Sequence, residues 1–210
     1  MTVLMKIVRT LAVCLAVLGF VSCNSKLETS EYRSFTLKDK SGQSVEAGIY
    51  LPVGYSDGME LPVVYFCDEL AVRNQENYCH LVDSMVENSI ITPVAMVISP
   101  NLNTVTADCF ADDLMPYVQK HFGVSSDRDG AVFFGSLKSA KAGLVMSFER
   151  PELISEYWLS SPGIARIEDY GLLGEEIQYH ITWGAKDESS NFEEYSSLLN
   201  SIRKRGGQVQ

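Results

Sequence analysis

The hydrophobic and polar positions along the chain change period several times. Residues 32–52 alternate apolar and polar side chains on both sides of a polar DKSGQ turn, which predicts a β-hairpin with one buried face. Other short segments are almost continuously apolar and rich in β-branched and aromatic residues, as in strands that are covered on both faces. These predicted strands span residues 61–68, 92–100, 131–136, 154–162 and 177–187.

Between these strands, apolar residues recur at helical spacing. The predicted helices span residues 76–90, 111–123, 140–151 and 191–207. Strands that alternate with helices predict an α/β fold, here a three-layer sandwich around a mainly parallel sheet that begins with an antiparallel hairpin. Ligand sites in such sheets lie at the carboxyl ends of the strands. Three of those ends carry polar residues, in the stretches CDE, GSLKS and GAKDES.

The N-terminus has the pattern of a secretory signal over residues 1–22. An apolar run at 10–20 is shorter than a membrane-spanning helix, and small residues lead from it into Cys23. Because FVSC resembles a lipobox, we expect lipidation of Cys23, a short tether over 23–33 and a single domain over 34–210. Ordinary cleavage with release, or an uncleaved anchor, are the alternatives. In each case the domain is expected outside the cytoplasm, in the bacterial periplasm or at the outer membrane.

The acidic balance of the chain narrows its range of partners. The formal net charge is −10, and it becomes −12 once Lys6 and Arg9 leave with the signal. This charge argues against nucleic acid and against anionic lipid as partners of the folded part. We therefore expect contact with a membrane only through a lipid chain on Cys23.

Three cysteines, Cys67, Cys79 and Cys109, stay in the expected domain. In an oxidising compartment they can form one disulfide at most, and the sequence leaves the pairing open. The chain has no C-x-x-C or H-E-x-x-H spacing of the kind that binds a metal. We therefore expect no metal site.

Five segments in order resemble an esterase family of α/β-hydrolases, the one that includes esterase D-like and enterochelin-esterase-like proteins. They are LPVVYFCDE, PYVQKHFGVSSDRD, FFGSLKSAKAGLVMSFERPELI, WLSSPG and WGAKDE. No single motif is specific, but their order and spacing extend from about residue 35 to residue 207. The resemblance implies an α/β-hydrolase fold, carboxylic ester hydrolysis as the ancestral chemistry, and no cofactor.

The resemblance also places the nucleophile. The family carries a serine in G-x-S-x-G, on a sharp strand-to-helix turn that exposes the hydroxyl and aims the next backbone N–H at the oxyanion. Gly135 behind the turn and Arg150 before the proline that closes the helix both set the register, and they put Leu137 at the nucleophile position. A leucine side chain cannot be acylated.

Two nearby hydroxyls are the candidate substitutes for this nucleophile. Ser136 follows the correct glycine but lies one residue early, and Ser139 falls in the first turn of the helix, where serine ordinarily accepts a hydrogen bond. Lys138 and Lys141 suggest a Ser-Lys pair, but the S-x-x-K spacing is absent. We therefore expect both lysine side chains to be solvated and not to activate a serine.

The sequence has a candidate for the acid of the family's triad but none for its base. Asp187 stands at the position of the acid, with Glu188 as a near alternative. In this fold the histidine follows the acid, and no histidine follows Asp187 in this sequence. We expect the three histidines that are present to be structural or surface residues. They are His80, His121 and His180.

The oxyanion region also departs from the family pattern. It is expected to include the turn at Lys138 together with Asp68 and Glu69, where the family tends to carry glycine after its aspartate. A carboxylate beside a developing oxyanion would oppose it. A Glu69 side chain that points to solvent would have no such effect.

These observations favour a degenerate esterase with little or no activity. The alternatives are an active carboxyl or carbohydrate esterase that uses Ser136 or Ser139, and a glycan or siderophore binding module with aromatic stacking groups. Those groups would be Tyr78, Trp158 and Trp183. Since the family's final strand and histidine loop are missing, QYHITW or its neighbour should form an exposed sheet edge or pair with GQVQ as a stub. A truncated gene product is a further interpretation.

Overall fold

The structure is a computed structural model that describes residues 26–100, 107–163, 167–184 and 192–210. Two expected site residues, Cys23 and Asp187, lie outside the described residues, as does the whole expected signal. Across the described ranges, no helix combines the length and the apolar character needed to cross a membrane.

The predicted hairpin is present. Strand β1 (Glu31–Lys38) pairs antiparallel with β2 (Ser44–Leu51) over its whole length. The turn closes because the Asp39 carboxylate accepts hydrogen bonds from the backbone N–H groups two and four residues later, at 2.9 and 2.8 Å. Gly42 takes a φ of +84° in this turn, which favours glycine. Strand β1 begins inside the segment 23–33 that the sequence suggested as a tether.

Eight strands in the described residues form one sheet. The other six are β3 (Val63–Cys67), β4 (Ala95–Ser99), β5 (Ala131–Ser136), β6 (Glu156–Ser160), β7 (Gln178–Thr182) and β8 (Gln208–Val209). The order is β1-β2-β4-β3-β5-β6-β7-β8, with parallel pairing from β4 to β8. The hairpin joins it because β2 pairs antiparallel with β4. The two-residue strand β8 pairs with β7, which confirms the predicted stub.

The helices differ from their predicted bounds by one to four residues, at both ends. They are α1 (Glu69–Arg73), α2 (Gln75–Glu87), α3 (107–122), α4 (Leu137–Glu149) and α5 (Phe192–Lys204). The short helix α1 was not predicted. It forms directly after β3 because the Asp68 side chain accepts a hydrogen bond from the Leu70 backbone N–H at 2.6 Å and so caps the first turn. Within α3, a π-helical turn (Phe110–Leu114) precedes the α-helix Met115–Phe122.

The main core lies between one face of the sheet and helices α3, α4 and α5. Each of four neighbouring parallel strands contributes one fully buried aromatic ring to this core, and the four rings are neighbours in the sheet register. They are Tyr65, Phe133, Tyr157 and Tyr179. The expected α/β sandwich is therefore confirmed, with its largest core on this face.

Among the described residues, helices pack on only part of the second face of the sheet. Helices α1 and α2 pack on β2, β4 and β3, around a smaller core that contains Tyr50 and Ile98. Helix α2 has no fully buried residue, and its Asp83 carboxylate accepts hydrogen bonds from Tyr50 at 2.7 Å and Ser30 at 2.8 Å. These bonds hold the helix against the hairpin.

An aromatic row begins beside helix α2 and runs across β3, β5, β6 and β7 on the same second face. It consists of Phe66, Phe134, Trp158 and His180, which are neighbours in the sheet register. The first two rings stack at 4.2 Å between centroids, and so do the last two. Trp158 is 44% exposed, although it lies in the middle of a strand. In the described part of the chain, no helix packs over the Trp158 end of the row.

Candidate functional site

The carboxyl ends of β3 and β5 bring together the residues that the sequence singled out. Cys67 and Gly135 are register partners, so the residues that follow them, Asp68 and Ser136, lie side by side at one edge of the sheet. Leu137 comes next and begins α4 without an intervening loop. The predicted strand-to-helix turn is therefore at this edge.

Leu137 has the backbone geometry of a strained turn. Its φ of +50° lies in the left-handed region, which is costly for a residue with a branched side chain. Its side chain is 64% exposed. Gly135 allows the close turn, since a Cβ there would lie 2.9 Å from the Ser139 backbone carbon. The turn thus presents a hydrocarbon side chain to solvent, at the position where the fold can present a nucleophile.

We expect Leu137→Gly to raise the free energy of unfolding by about 0.5–1 kcal/mol. Glycine removes the steric cost of the positive φ, which exceeds the extra backbone entropy that glycine gives the unfolded chain. Little burial is lost, because Leu137 is exposed. Urea unfolding of the two proteins measures the difference. Lys138→Gly, one residue further into the helix, is the matched control and should lower stability instead.

The Ser136 hydroxyl faces a carboxylate rather than open solvent. It donates a hydrogen bond to Asp68 Oδ2, and the other oxygen of Asp68 accepts from the Leu70 backbone N–H. Asp68 is buried, with 7% of its surface exposed. The pair ties the end of β5 to the cap of α1. The sequence offered one indication of this contact, because each residue is the last one of a strand that was predicted as buried.

The other residues proposed around the turn do not converge on a reacting centre. Ser139 is 1% exposed and packs under the first turn of α4. Lys138 is exposed. Glu69 is also exposed and lies 4.0 Å from Arg73 on the same short helix, so its carboxylate is directed to solvent. The arrangement gives Ser139 no route to a substrate.

No imidazole is hydrogen-bonded to Ser136 among the described residues. His80 is exposed on α2, and the His121 ring stacks on Tyr117 at 4.3 Å. His180 stacks on Trp158, and its Nε2 lies 3.2 Å from Glu156 Oε1. Strand β7 is two strands away from β5, a separation of about 10 Å, so His180 is too far to act as a base for Ser136.

The stacking residues suggested for a ligand are not brought together. Tyr78 packs on Phe66 at 4.9 Å, and Trp183 stacks on Tyr195 at 4.6 Å in the main core. Trp158 alone of the three suggested residues is exposed, on the second face of the sheet. The three aromatic residues therefore do not form one platform.

The described cysteines form no disulfide with one another. Burial raises the pKa of the Cys67 thiol to about 12, and Cys67 Sγ lies 3.2 Å from Ser99 Oγ. Burial also raises the pKa of Cys79 to about 11 and that of Cys109 above its usual value. Within the described ranges, His, Cys, Asp and Glu side chains do not gather in the groups of three that hold a metal ion.

We expect iodoacetamide to alkylate Cys79 well before Cys67 and Cys109 in the folded protein at about pH 8. The thiolate is the reacting form, and the half-buried Cys79 has both the better access and a smaller pKa shift than Cys67. Peptide mass spectrometry after timed alkylation measures the order. Equal rates in urea would serve as the control, and faster labelling of Cys67 in the folded state would contradict the burial described here.

Solved esterase structures share this fold. A ferulic acid esterase matches with a TM-score of 0.68 at 12% identity, over 86% of this chain and 89% of its own. The ferulic acid esterase of Anaeromyces mucronatus matches with a TM-score of 0.64 at 15% identity, over 89% and 84%. The enterochelin esterase of Shigella flexneri gives 0.67 at 14% identity, over 89% of this chain and 54% of that one.

Comparisons at the level of sequence found no match. The chain matches no protein-family model, and a search of curated proteins found no match. At identities of 12–15%, the structural likeness concerns the fold. The eight-stranded sheet, the antiparallel hairpin and the strand-to-helix turn at Leu137 all agree with it. The expectation drawn from the sequence is confirmed: this chain has an α/β-hydrolase fold.

Proposed function

We propose that this protein is an exported, lipid-anchored member of the esterase-type α/β-hydrolases that has lost all or most of its ester hydrolysis. The observation that carries the proposal is Leu137. It occupies the exposed, positive-φ turn between β5 and α4, where a hydrolase of this fold needs a hydroxyl or thiol. Its side chain can neither attack an ester nor hold an acyl group.

The environment of the turn supports the loss of activity. The Ser136 hydroxyl donates a hydrogen bond to Asp68, a carboxylate that also caps α1. None of the imidazoles described above is positioned to accept a hydrogen bond from Ser136 instead. A nucleophile without its base retains only a small part of the triad's acceleration, because the members act as a unit. We expect residual turnover close to the uncatalysed rate.

An active esterase that uses Ser136 is the second candidate, and the Ser136–Asp68 hydrogen bond is the observation in its favour. A carboxylate that accepts a serine proton directly would replace the histidine of the usual triad. The burial of Asp68 and its use as a helix cap argue against this role, since both hold it in place for α1.

Ester hydrolysis and covalent labelling decide between the two candidates. The purified protein would be assayed with a short-chain nitrophenyl ester and with a ferulate ester, and a fluorophosphonate label would be located by mass spectrometry. We expect background turnover and no labelled serine. Labelling of Ser136 together with loss of turnover in Ser136→Ala would overturn the proposal. Ser147→Ala, a buried serine elsewhere on α4, controls for nonspecific effects of substitution.

The lipid anchor is tested separately. Cells that express the protein would be grown with a radiolabelled fatty acid, and we expect label on the wild-type protein but not on Cys23→Ala. Release of unlabelled wild-type protein into the periplasm would favour ordinary signal cleavage instead. The proposal includes no nucleic-acid partner, because the formal net charge is −10.

A further inference from the structure

A groove of about 470 Å³ lies on the second face of the sheet, between the β1–β2 hairpin and the start of helix α2. Its floor includes Ile98 and Pro100 at the carboxyl end of β4. It shares no lining residue with the strand-to-helix turn at Leu137. The volume is within the range of small-molecule sites in proteins.

One wall of the groove is a row of hydroxyl groups. Tyr32, Ser34 and Thr36 occupy alternate positions of β1 and therefore project from the same face. Glu46 is the register partner of Thr36 on β2, and Gln75 faces the groove from the first residue of α2. These five side chains have no hydrogen-bonding partner in the described part of the chain, so all of them are open to a ligand.

Gly48 sets the position of the Tyr32 ring. A Cβ at this residue would overlap the Tyr32 hydroxyl and ring carbons, so only glycine lets the ring lie across β2. Burial raises the pKa of Tyr32 to about 12, and the phenol is therefore a hydrogen-bond donor at neutral pH. The ring adds an apolar, half-buried surface to the groove.

The opposite wall is apolar. Val72 of α1 lines it and is 44% exposed, and Ile98 and Pro100 continue this surface beneath. The groove is thus two-sided, with donors and acceptors along β1 and hydrocarbon along α1 and β4. A ligand that fills it needs hydroxyl groups on one side and C–H groups on the other.

The charge of the groove excludes anions. None of its lining residues is lysine, arginine or histidine, and Glu46 is the one ionised group that lines it. A phosphate or carboxylate ligand would meet a negative charge without a counter-charge, on a chain whose formal net charge is −10. The ligand is therefore neutral and rich in hydroxyl groups.

We propose that this groove binds a neutral oligosaccharide. Sugar rings carry hydroxyl groups around their rim and C–H groups on their faces. The hydroxyl groups can hydrogen-bond to the carboxylate, amide and hydroxyls of the groove, and the C–H faces can pack on its apolar wall. The site is separate from the turn at Leu137, so it would operate whether or not the protein hydrolyses esters. Binding here would give a protein without hydrolytic activity a role that needs no nucleophile.

Titration calorimetry with neutral hexasaccharides tests the proposal. The probes are the β-1,4-linked hexamers of xylose, glucose and mannose and the α-1,4-linked hexamer of glucose, with an oligogalacturonate of equal length as the anionic control. We expect at least one neutral probe to bind with a Kd on the order of 1 mM or tighter, and the galacturonate not to bind. Absence of binding by all four neutral probes, or binding of the galacturonate, overturns the proposal.

Variants assign the binding to the groove. Tyr32→Phe removes a hydroxyl group, and Glu46→Gln removes the charge and replaces one acceptor oxygen by an NH2 donor, both without loss of bulk; each should weaken binding roughly tenfold. Gly48→Ala should weaken it further, because the added methyl group displaces the Tyr32 ring. Ser44→Ala removes an exposed hydroxyl from the same strand as Glu46 but outside the groove, and should leave the Kd unchanged. Equal affinity in all four variants would place the sugar elsewhere and refute this site.

Discussion

Phe133→Ala is expected to lower the free energy of unfolding by about 3–5 kcal/mol, the largest change predicted for this protein. Phe133 lies at the centre of β5 and has no exposed surface. Its ring meets Phe110 edge-on at 5.8 Å and lies 5.6 Å from Tyr157. Removal of the ring leaves a cavity between the sheet and α4 that rigid neighbouring rings cannot fill.

Urea unfolding followed by circular dichroism measures the loss, as a shift of the midpoint with little change of slope. Since a domain of this size has a stability of roughly 5–15 kcal/mol, this loss is a large part of the total. Phe192→Ala is the matched control, because Phe192 is 75% exposed at the start of α5. It should change stability by less than about 0.5 kcal/mol. A comparable loss at both positions would show that Phe133 is not at the centre of the core.

Gly143→Ala should cost about 2–3 kcal/mol for the opposite reason, because it adds volume where none is available. A Cβ at Gly143 would lie 2.8 and 2.9 Å from Cζ and Cδ1 of the Phe133 ring. The ring cannot move aside, since other aromatic rings surround it, and the loss exceeds the gain in helix propensity from alanine. Gly171→Ala is the control, since a Cβ there has no atom within 4 Å.

The two substitutions should be strongly coupled. In the Phe133→Ala background the added methyl group of Gly143→Ala enters the cavity, so it should cost little or become stabilising. A double-mutant cycle from the four unfolding curves gives the coupling energy, which we expect to be at least about 2 kcal/mol. Additive effects would mean that α4 and β5 do not meet at this pair.

The hairpin, the buried strands and the turn at Leu137 could be predicted because each depends on a local pattern. Alternation of polar and apolar residues sets the hairpin, and Gly135 with the closing proline sets the register of the turn. Helix α1 could not be found in this way. Its apolar residues are three consecutive positions, 70–72, with no helical spacing, and the segment depends instead on a cap from Asp68.

The contacts that define the candidate sites depend on register between strands, which a single sequence does not contain. Ser136 meets Asp68 because β5 and β3 pair with Gly135 opposite Cys67. The oligosaccharide groove requires Tyr32 to lie across Gly48, a glycine with no special φ and no turn pattern around it. Only the folded arrangement shows why that residue has no side chain.

The aromatic row on the second face affects how these molecules behave towards one another in concentrated solution. Parallel sheets are ordinarily covered on both faces, and among the described residues Trp158 leaves an aromatic ring exposed on one face, to which another molecule can adhere. At neutral pH, the net charge of −10 keeps the molecules apart by mutual repulsion. As acid neutralises the carboxylates, or as salt screens them, that repulsion weakens while the ring surfaces stay the same. The abundance of aspartate and glutamate therefore acts as a colloidal stabiliser, and it lets the fold tolerate the exposed Trp158 ring on one face of the sheet.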